Sequence, residues 1–403
     1  MRKTSKKRIL RWVVLDLCGF CVIAYLICAQ VFNFFPWKPV EIEIPDLGEI
    51  PVTVEATTAP QPTPMAAPTD TPAPTDAPAT PATSAGEGET GMETPVITDT
   101  PAPTDTPAPT STPEPNDLLK GKYADLFSTG QVIANDREYR SENIAIFLTA
   151  KTGYVCSKCG HTAEKSGACP FCGATIGSRK ADTVTYTVAD IYIRDLSCLK
   201  TAFVTRADDE DKVKPLAEAH HGILAVNTDY FINYYNKHGW FIRNGVEVQR
   251  NKKISSDLGV LFADGTFETF DYKQELLNAK RETDTAALDA IFARNPQQIW
   301  YFGPQLLDKN GAPKTQFNST LGKANPRTVV GYYEPGHYCF FVVDGRGGQR
   351  GLTFEELSLL CADMGLTAAY NMDGGASSGL YFNGKIYGQN GRATGDIVYI
   401  AEP

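Results

Sequence analysis

The distribution of proline separates one proline-rich segment from the rest of this chain. Sixteen of its 27 prolines lie between Pro51 and Pro115, in a run of Pro, Thr, Ala and Asp where the string TDTPAPTD occurs twice. Such a sequence has too few apolar side chains to offset the entropy of ordering its backbone. We therefore expect residues 36–116 to form an extended, disordered linker of polyproline II character, and the folded domain to occupy residues 117–403.

The first 35 residues have the pattern of a signal anchor. Residues 1–11 are a basic tail with six Lys and Arg side chains, and residues 12–35 form a mostly apolar run. At about 1.5 Å per residue, a helix of this length spans a hydrocarbon core of roughly 30 Å. The preceding bases predict a cytoplasmic N-terminus and an extracytoplasmic folded domain, held in the cell membrane by a single transmembrane helix. A cleaved signal peptide is the alternative, although its apolar part is normally shorter, about 7–15 residues.

The charge of the chain bears on its partners. The formal net charge is −9, and an acidic chain is a poor match for nucleic acid or an anionic lipid surface. We therefore expect no nucleic-acid partner, and membrane contact through the N-terminal helix. Any anion site must be a local cluster of Arg or Lys side chains.

Strand, hairpin and helix signals are mixed within the folded part. The segment Asp182–Arg194 alternates apolar and polar side chains with the period of a strand. Helices are predicted over Lys273–Ala293 and Thr353–Met364, and the second begins with a Thr-x-x-Glu capping box. Turn dipeptides indicate three hairpins, at Asn244-Gly245, Asp264-Gly265 and Asn383-Gly384. The mixture predicts an α+β fold, with mixed or antiparallel sheets and a few packed helices.

Two C-x-x-C-G motifs lie in an insert at about residues 153–175. Four thiolates in two such pairs provide a closed tetrahedral zinc site, and the glycine after each pair permits the tight turn. The predicted zinc ligands are Cys156, Cys159, Cys169 and Cys172. Because a closed site leaves no position for water, we expect a structural zinc in a zinc-ribbon-like insert. Two disulfides are the alternative, since an extracytoplasmic location favours them.

Acidic and basic side chains recur at the ends of predicted strands and in turns. Loops on a rigid scaffold are the usual location of catalytic groups. The carboxylates are Asp229, Asp344 and Asp373, and the guanidiniums are Arg243, Arg327 and Arg346. The set indicates a catalytic site rather than scattered surface charge.

From about Tyr186 to the C-terminus, the order and spacing of several short motifs resemble the phosphodiester glycosidase family, which includes bacterial exopolysaccharide-associated members. The main motifs are Asn227-Thr-Asp229, Arg243-Asn-Gly245, Asn325-Pro-Arg-Thr328, Val343-Asp-Gly-Arg346 and Asn371-Met-Asp-Gly-Gly375. Two residues depart from the family pattern. Thr228 stands where the family usually has Gly, and Ala376 stands at the third position of its triple-glycine run.

The resemblance implies hydrolysis of a sugar–O–phosphate diester at the anomeric carbon, without an organic cofactor. Arg binds phosphate through paired charge-assisted hydrogen bonds, and carboxylates stabilise an oxocarbenium-like centre or activate water. Asp344 and Asp373 are the first candidates for the catalytic carboxylates, followed by Asp229. The backbone N–H groups of Gly374 and Gly375 are candidates for an anion nest. The candidate substrate-binding residues are Asn227, Arg243, Arg327, Thr328, Arg346, Asn371, Gly374, Gly375, Ser377 and Ser378.

The predicted location makes a cell-surface glycan with sugar phosphodiester linkages the expected substrate. Two other functions remain open at this point. The Asp cluster can instead bind a catalytic divalent cation in a metal-dependent phosphodiesterase that cleaves the P–O bond. The second alternative is a non-catalytic module that binds wall glycans, which the departures at Thr228 and Ala376 favour.

Overall fold

The computed structural model describes residues 117–203, 212–230, 239–250 and 254–403. The predicted anchor at 12–35 and the predicted linker at 36–116 lie outside these residues. Among the described helices, none is long and apolar enough to cross a membrane.

The described residues contain twenty strands, and every pairing between them is antiparallel. In chain order they are β1 (Ile133–Ala134), β2 (Glu138–Arg140), β3 (Ile144–Val155), β4 (Thr162–Ala163), β5 (Gly167–Ala168), β6 (Thr175–Ile176), β7 (Thr183–Ile193), β8 (Leu199–Phe203), β9 (Leu224–Asn227), β10 (Trp240–Arg243), β11 (Val246–Arg250), β12 (Leu258–Phe262), β13 (Phe267–Phe270), β14 (Pro296–Trp300), β15 (Arg327–Glu334), β16 (His337–Val343), β17 (Ala368–Asn371), β18 (Gly379–Phe382), β19 (Lys385–Gly388) and β20 (Asp396–Ile400).

The described helices are few and short. The α-helices are α1 (Val213–Ala219), α2 (Tyr272–Glu275), α3 (Thr285–Phe292) and α4 (Phe354–Asp363). Single turns of 3-10 helix occur at Ala124–Leu126, Lys180–Asp182, Leu196–Cys198 and Gly375–Ser377. This content of antiparallel sheets with few helices agrees with the predicted α+β class.

The strands form three main sheets and one small one. The largest has the order β1-β2-β3-β7-β16-β15-β17, with β4 paired to β3. The second has the order β11-β10-β14-β12-β13, and the third has the order β19-β18-β9-β20-β8. The pair β5-β6 lies in the cysteine-containing insert.

The central strand β7 shows how the large sheet separates two cores. Val184, Tyr186 and Val188 face a core that α4 covers. Ile191 and Ile193 face a second core, shared with strands of the other two sheets. This alternation is the period-two pattern of a strand buried on both faces, and it confirms the predicted strand at Asp182–Arg194, observed as Thr183–Ile193.

The predicted hairpins are confirmed at all three dipeptides. Asn244 and Gly245 have φ values of 51° and 79°, and Asn383 and Gly384 have 44° and 84°. Positive φ at both central residues is the requirement of a type I′ turn, which Asn-Gly meets at little steric cost. These turns connect β10 to β11 and β18 to β19.

The predicted single helix over Lys273–Ala293 is wrong. The segment contains two short helices, α2 and α3, separated by a turn in which Leu277 bridges Thr283. Each helix has its own N-cap: Asp271 accepts the backbone N–H of Lys273, and Asp284 accepts that of Ala286. An Asp side chain competes for backbone N–H groups and favours a new helix start over continuation.

Helix α4 begins and ends as the sequence predicts. Thr353 Oγ1 accepts the Glu356 N–H over 3.2 Å, and the Glu356 carboxylate accepts the Thr353 N–H over 2.9 Å. Gly365 follows the helix with a φ of 78°. The confirmed capping box fixes the start of α4, and therefore the end of the loop that carries Asp344 and Arg346.

Candidate active site

The ends of strands from the three main sheets meet at one place. Asn227 at the end of β9 pairs with Ile397 of β20, and Asn371 at the end of β17 pairs with Val329 of β15. The backbone N–H of Asp373 donates to the carbonyl of Thr228 over 2.8 Å, which joins the segments after β9 and β17. Motifs that are distant in sequence are therefore brought together.

A buried ion network lies beneath this meeting point. Arg243 donates from Nη2 to Asp229 over 2.5 Å and from Nε to Asp396 over 2.7 Å, and all three side chains are completely buried. Its Nη1 also donates to the carbonyls of Ile242 and Ile299. The sequence prediction placed Asp229 and Arg243 at the substrate, but in this structure neither side chain has exposed surface.

The electrostatics of this network follow from its burial. Burial raises the pKa of Asp229, and the neighbouring Asp396 charge adds to this effect while Arg243 opposes it. Tyr301 stabilises the carboxylate by donating its backbone N–H to Asp229 over 2.9 Å. The network links the second sheet, which contributes Arg243, to the third, which contributes Asp396.

Asn227 and Thr328 form a second internal link. Thr328 Oγ1 donates to Asn227 Oδ1 over 2.8 Å, and the backbone N–H of Gly379 donates to the same oxygen over 3.1 Å. The Asn227 amide donates to the carbonyl of Asp373 over 2.6 Å. The side chains of Asn227 and Thr328 are fully buried. Through the hydrogen bond from Asn227 to the Asp373 carbonyl, they fix the position of the segment that contains Asp373.

Asp373 lies in a compact turn after β17, and its carboxylate accepts three hydrogen bonds. Its Oδ1 accepts the Gly374 N–H over 2.8 Å, and its Oδ2 accepts the hydroxyl of Ser377 over 2.8 Å and Nη2 of Arg392 over 2.6 Å. Burial raises the pKa of Asp373, while Arg392 and the hydrogen bond from Ser377 oppose the shift. Asp373 is thus held in one orientation by donors that favour its ionised form.

The predicted anion nest at Gly374 and Gly375 is not formed. The Gly374 N–H donates to Asp373, and the Gly375 N–H donates to the carbonyl of Pro326 over 3.0 Å. Gly375 is still required for shape, because its φ is 68°. A Cβ at this position would lie 3.1 Å from Nη2 of Arg346. The glycines therefore allow the turn to lie close to Pro326 and Arg346.

Asp344 and Arg346 follow β16 and are the more accessible of the predicted residues. Asp344 is partly exposed and accepts the hydroxyl of Thr185 over 2.8 Å, while Arg346 is exposed. The short distance from Arg346 Nη2 to the position of a Cβ on Gly375 places the guanidinium beside the Asp373 turn. The structure therefore places an accessible guanidinium beside the Asp373 turn, and a partly exposed carboxylate two residues earlier in the same loop as that guanidinium.

The guanidinium of Arg327 donates its hydrogen bonds mainly to backbone carbonyls inside the protein. Its Nε donates to the carbonyl of Leu352 over 3.0 Å, and its Nη2 donates to the carbonyls of Leu321 and Lys323 over 2.8 and 2.7 Å. Its guanidinium lies 4.0 Å from the ring centre of Phe354, and burial lowers its pKa to about 10. These contacts hold the loops that precede β15 and α4.

Two further predicted residues are buried with unpaired polar atoms. Asn371 donates to the carbonyl of Gly303 over 2.8 Å, but its Oδ1 has no hydrogen-bond partner within the described part of the chain. The same holds for Oγ of Ser378. Both residues belong to the segments that flank the Asp373 turn.

Sequence reasoning missed Arg392 and Asp396. Arg392 lies in the loop between β19 and β20, and no motif or regular spacing in the sequence links this isolated Arg to Asp373. Asp396 offered a weak signal, because it directly precedes the apolar run Ile397-Val-Tyr-Ile400 of a fully buried strand. A charge at the start of such a strand needs a buried partner, and the structure shows that Arg243 is that partner.

The four insert cysteines form a second, separate cluster. Their sulfurs all lie within 4.8 Å of one another. Cys156 and Cys172 are 3.5 Å apart, and Cys159 and Cys169 are 3.6 Å apart. Four thiolates bound to one zinc at about 2.3 Å would be separated by about 3.8 Å. The donor set and its spacing fit a tetrahedral metal site, and the cysteines are free rather than disulfide-bonded.

The backbone of this cluster has the predicted knuckle geometry. The Gly160 N–H donates to the carbonyl of Cys156 over 2.8 Å, and the Gly173 N–H donates to that of Cys169 over 2.8 Å. Both glycines have positive φ, at 81° and 74°. The insert packs on α4, where His161 lies 2.8 Å from Asp363.

Comparisons with known proteins bear on this site. Residues 220–401 match the family model described as phosphodiester glycosidase (NAGPA). No curated protein sequence matches the chain.

Several solved structures are similar at low identity. The catalytic domain of zebrafish N-acetylglucosamine-1-phosphodiester alpha-N-acetylglucosaminidase is 17% identical with a TM-score of 0.45, over 68% of this chain and 88% of that one. A hypothetical protein from Synechocystis is 12% identical with a TM-score of 0.44, over 68% and 64%. A putative exported protein from Burkholderia pseudomallei is 13% identical with a TM-score of 0.37, over 70% and 99%. The assignment rests on the family model, which identifies residues 220–401 as a domain of the phosphodiester glycosidase family.

Proposed function

We propose that this protein hydrolyses sugar 1-phosphate diesters at the anomeric carbon, releasing a free sugar and a phosphomonoester. The observation that carries the proposal is the Asp373 turn within the family-matched domain: Ser377 and Arg392 hold its carboxylate, and the accessible Arg346 lies beside Gly375 of the same turn. Asp344, on the same strand end as Arg346, supplies a second carboxylate.

The reaction places specific demands on these groups. The bond between the anomeric carbon and the bridging oxygen breaks, and its electron pair stays with the phosphate. Water supplies the new oxygen on the carbon, and its proton passes to a carboxylate. Because a phosphate leaves more readily than an alcohol, protonation by a general acid is less necessary than in most glycosidases. Two carboxylates and an anion site meet these demands.

The buried predicted residues have a supporting role in this proposal. Asp229, Arg243, Asn227 and Thr328 hold the strand ends in register from beneath the site. Arg327 holds the adjoining loops through three carbonyls. We assign these five as positioning residues, since hydrogen-bonded groups with little or no exposed surface fix geometry rather than contact substrate.

The metal-dependent phosphodiesterase finds less support than the glycosidase. The carboxylates of Asp229, Asp373 and Asp396 each accept a hydrogen bond from a guanidinium, which competes with cation binding. Within the described ranges, the cysteine cluster is the one group of His, Cys, Asp and Glu side chains spaced to hold a metal.

The cysteine cluster is proposed to bind one structural zinc ion. The four-sulfur donor set and the two knuckles support this assignment, and zinc would supply a cross-link between the two halves of the insert. Metal analysis of the purified chain tests it. One zinc per chain, lost on Cys156→Ser with Cys172→Ser, is expected. Disulfides detected by mass spectrometry without alkylation of these four cysteines would contradict it.

The membrane anchor and the cell-surface substrate are proposals that rest on residues 1–116 of the sequence. The basic tail, the apolar run and the Pro-rich segment support an extracytoplasmic domain on a spacer, which would meet sugar phosphodiesters of surface glycans. Alkaline extraction of membranes tests the anchor, and the intact chain is expected in the membrane pellet. A soluble chain whose N-terminus begins after about residue 35 would instead indicate a cleaved signal peptide.

The function is tested with the purified full-length chain and a panel of sugar 1-phosphodiesters. Proton and phosphorus NMR are expected to show free sugar and phosphomonoester, and Asp344→Asn and Asp373→Asn are each expected to lower the rate at least a hundredfold. Release of sugar 1-phosphate would indicate P–O cleavage. Retained glycan binding without turnover of any substrate would favour the binding module.

A further inference from the structure

Four guanidiniums surround the candidate site, and the structure divides them into two pairs. Arg243 and Arg327 are buried and donate mainly to internal carboxylates and carbonyls. Arg346 is exposed, and the side chain of Arg392 is 41% exposed. Among these four, Arg346 and Arg392 combine a position beside the Asp373 turn with access to solvent.

Arg392 is fixed in place but keeps donors available. Its Nε donates to Ser377 over 2.8 Å and its Nη2 donates to Asp373 over 2.6 Å. Its backbone N–H and that of Gly391 both donate to the carbonyl of Ala376. Its Nη1 has no hydrogen-bond partner among the residues that the structure describes. The rigid fork of a guanidinium held along one edge presents its remaining N–H groups in a defined direction.

Arg346 lies beside the same turn, in the loop after β16. Its Nη2 lies 3.1 Å from the position that a Cβ on Gly375 would occupy. The turn from Asp373 to Ser377 therefore has two guanidiniums beside it: Arg392, from the loop before β20, is hydrogen-bonded to it, and Arg346, from the loop after β16, lies next to Gly375. With a carboxylate and two accessible guanidiniums, this turn can bind an anion, and its carboxylate can act at the carbon next to that anion.

We propose that Arg392 is a substrate-binding residue that holds the phosphate of the diester together with Arg346, while it also orients Asp373. The inference rests on the proposed function and names the residues that bind the leaving group. It replaces Arg243 and Arg327, which the sequence alone suggested for this role.

The charge change in the reaction explains the need for two cations. A phosphodiester carries one negative charge, whereas the released phosphomonoester carries about 1.5 to 2 at pH 7. The additional charge develops as the bond to the anomeric carbon breaks. Donors placed at the phosphate therefore interact more strongly with the transition state than with bound substrate. Loss of Arg392 is expected to lower kcat more than it raises KM.

The test compares Arg392→Gln, Arg392→Lys and Arg346→Gln in the full-length chain. Arg294→Gln is the matched control, because Arg294 forms a surface pair with Glu268 and is 43% exposed. Each protein is assayed on a sugar 1-phosphodiester and on the p-nitrophenyl glycoside of the same sugar and anomer, whose leaving group has no phosphate. Binding of inorganic phosphate is measured separately by calorimetry.

Arg392→Gln is expected to lower kcat/KM on the diester on the order of a hundredfold or more. Its kcat/KM on the aryl glycoside is expected to change less than about tenfold, because that leaving group has no phosphate. Its affinity for inorganic phosphate is expected to fall at least about tenfold. Arg392→Lys is expected to have a kcat/KM on the diester and a phosphate affinity between those of Arg392→Gln and the wild type. Equal losses on both substrates would show that Arg392 acts only through Asp373 and would overturn phosphate binding. Phosphate binding that is unchanged in Arg392→Gln, or absent from the wild type, would also overturn it.

The two proposals fail in different ways. A wild type that hydrolyses the diester while Arg392→Gln matches Arg294→Gln contradicts the role of Arg392 and leaves the function intact. A wild type that binds phosphate through Arg392 but releases no free sugar contradicts the function and retains the anion site.

Discussion

Arg392 donates from Nη2 to Oδ2 of Asp373 over 2.6 Å, across nineteen residues of sequence that contain the last hairpin. A second ion network, Arg243 with Asp229 and Asp396, lies beneath it without exposed surface. The site therefore has two layers. The lower layer joins sheets, and the upper layer combines a carboxylate with accessible guanidiniums.

The upper layer predicts the acidic limb of the pH–rate profile. Burial raises the pKa of Asp373 above the ordinary value of an aspartate, and Ser377 opposes this shift through its hydrogen bond. If ionised Asp373 is required, kcat/KM falls as pH drops through this raised pKa. Ser377→Ala removes a donor to the ionised form, so it is expected to move the limb to higher pH. Ser197→Ala, at an exposed position far in sequence, is the control, and an unmoved limb in Ser377→Ala would contradict the assignment.

The lower layer predicts a large stability loss when its cation is removed. Arg243→Gln leaves Asp229 and Asp396 buried without their partner, and we expect the free energy of unfolding to fall by about 3–5 kcal/mol. Urea denaturation measures this. Arg294→Gln, in a surface pair, is expected to cost less than about 1 kcal/mol. Adding Asp229→Asn to Arg243→Gln is expected to restore part of the loss, and strict additivity would argue against the network.

The turn geometry predicts different effects for two glycine substitutions. Gly375 and Gly384 both have positive φ, but a Cβ at Gly375 meets Arg346 whereas one at Gly384 meets nothing within 4 Å. Both Ala variants are expected to lose about 1 kcal/mol of stability from backbone strain. Only Gly375→Ala is expected to lose activity on the diester as well. Equal activities of the two variants would show that the close approach of Arg346 to Gly375 is not needed for activity.

The insert predicts a link between metal and stability. A Cβ at Gly160 would lie 3.0 Å from Leu359, and His161 lies 2.8 Å from Asp363, so the insert packs directly on α4. A strong chelator is expected to lower the unfolding temperature of the wild type. Cys172→Ser is expected to have a lowered unfolding temperature already and to show no further change with chelator. A wild type insensitive to chelator would contradict a structural zinc.

Local features of the fold were predictable because their causes are local. The capping box at Thr353 and the Asn-Gly turns depend on residues that are neighbours in sequence, and all are confirmed. The broken helix between Tyr272 and Phe292 was not predicted, because the Asp284 side chain accepts the Ala286 N–H and starts a second helix within a segment that reads as one. The capping box and the Asp284 N-cap act through side-chain hydrogen bonds, and the Asn-Gly turns act through positive φ at both central residues.

The sequence predicted which segments form the site, but it did not predict the role of each residue within them. The strand ends that precede Asp344 and Asp373 were identified, and in the structure both pair with the first residues of β15. Which arginine is buried depends on partners far along the chain: Arg243 pairs with Asp396, 153 residues away. Sequence spacing carries no information on such contacts, so Arg392 was missed.

The position of bond cleavage is the most direct test of the account. The full-length protein would hydrolyse a sugar 1-phosphodiester in water enriched in oxygen-18, and phosphorus NMR would detect the isotope in the phosphomonoester. Attack at the anomeric carbon leaves the phosphate oxygens unchanged, so a phosphomonoester without the isotope is predicted. Label in the phosphate would show attack at phosphorus and would contradict the glycosidase mechanism.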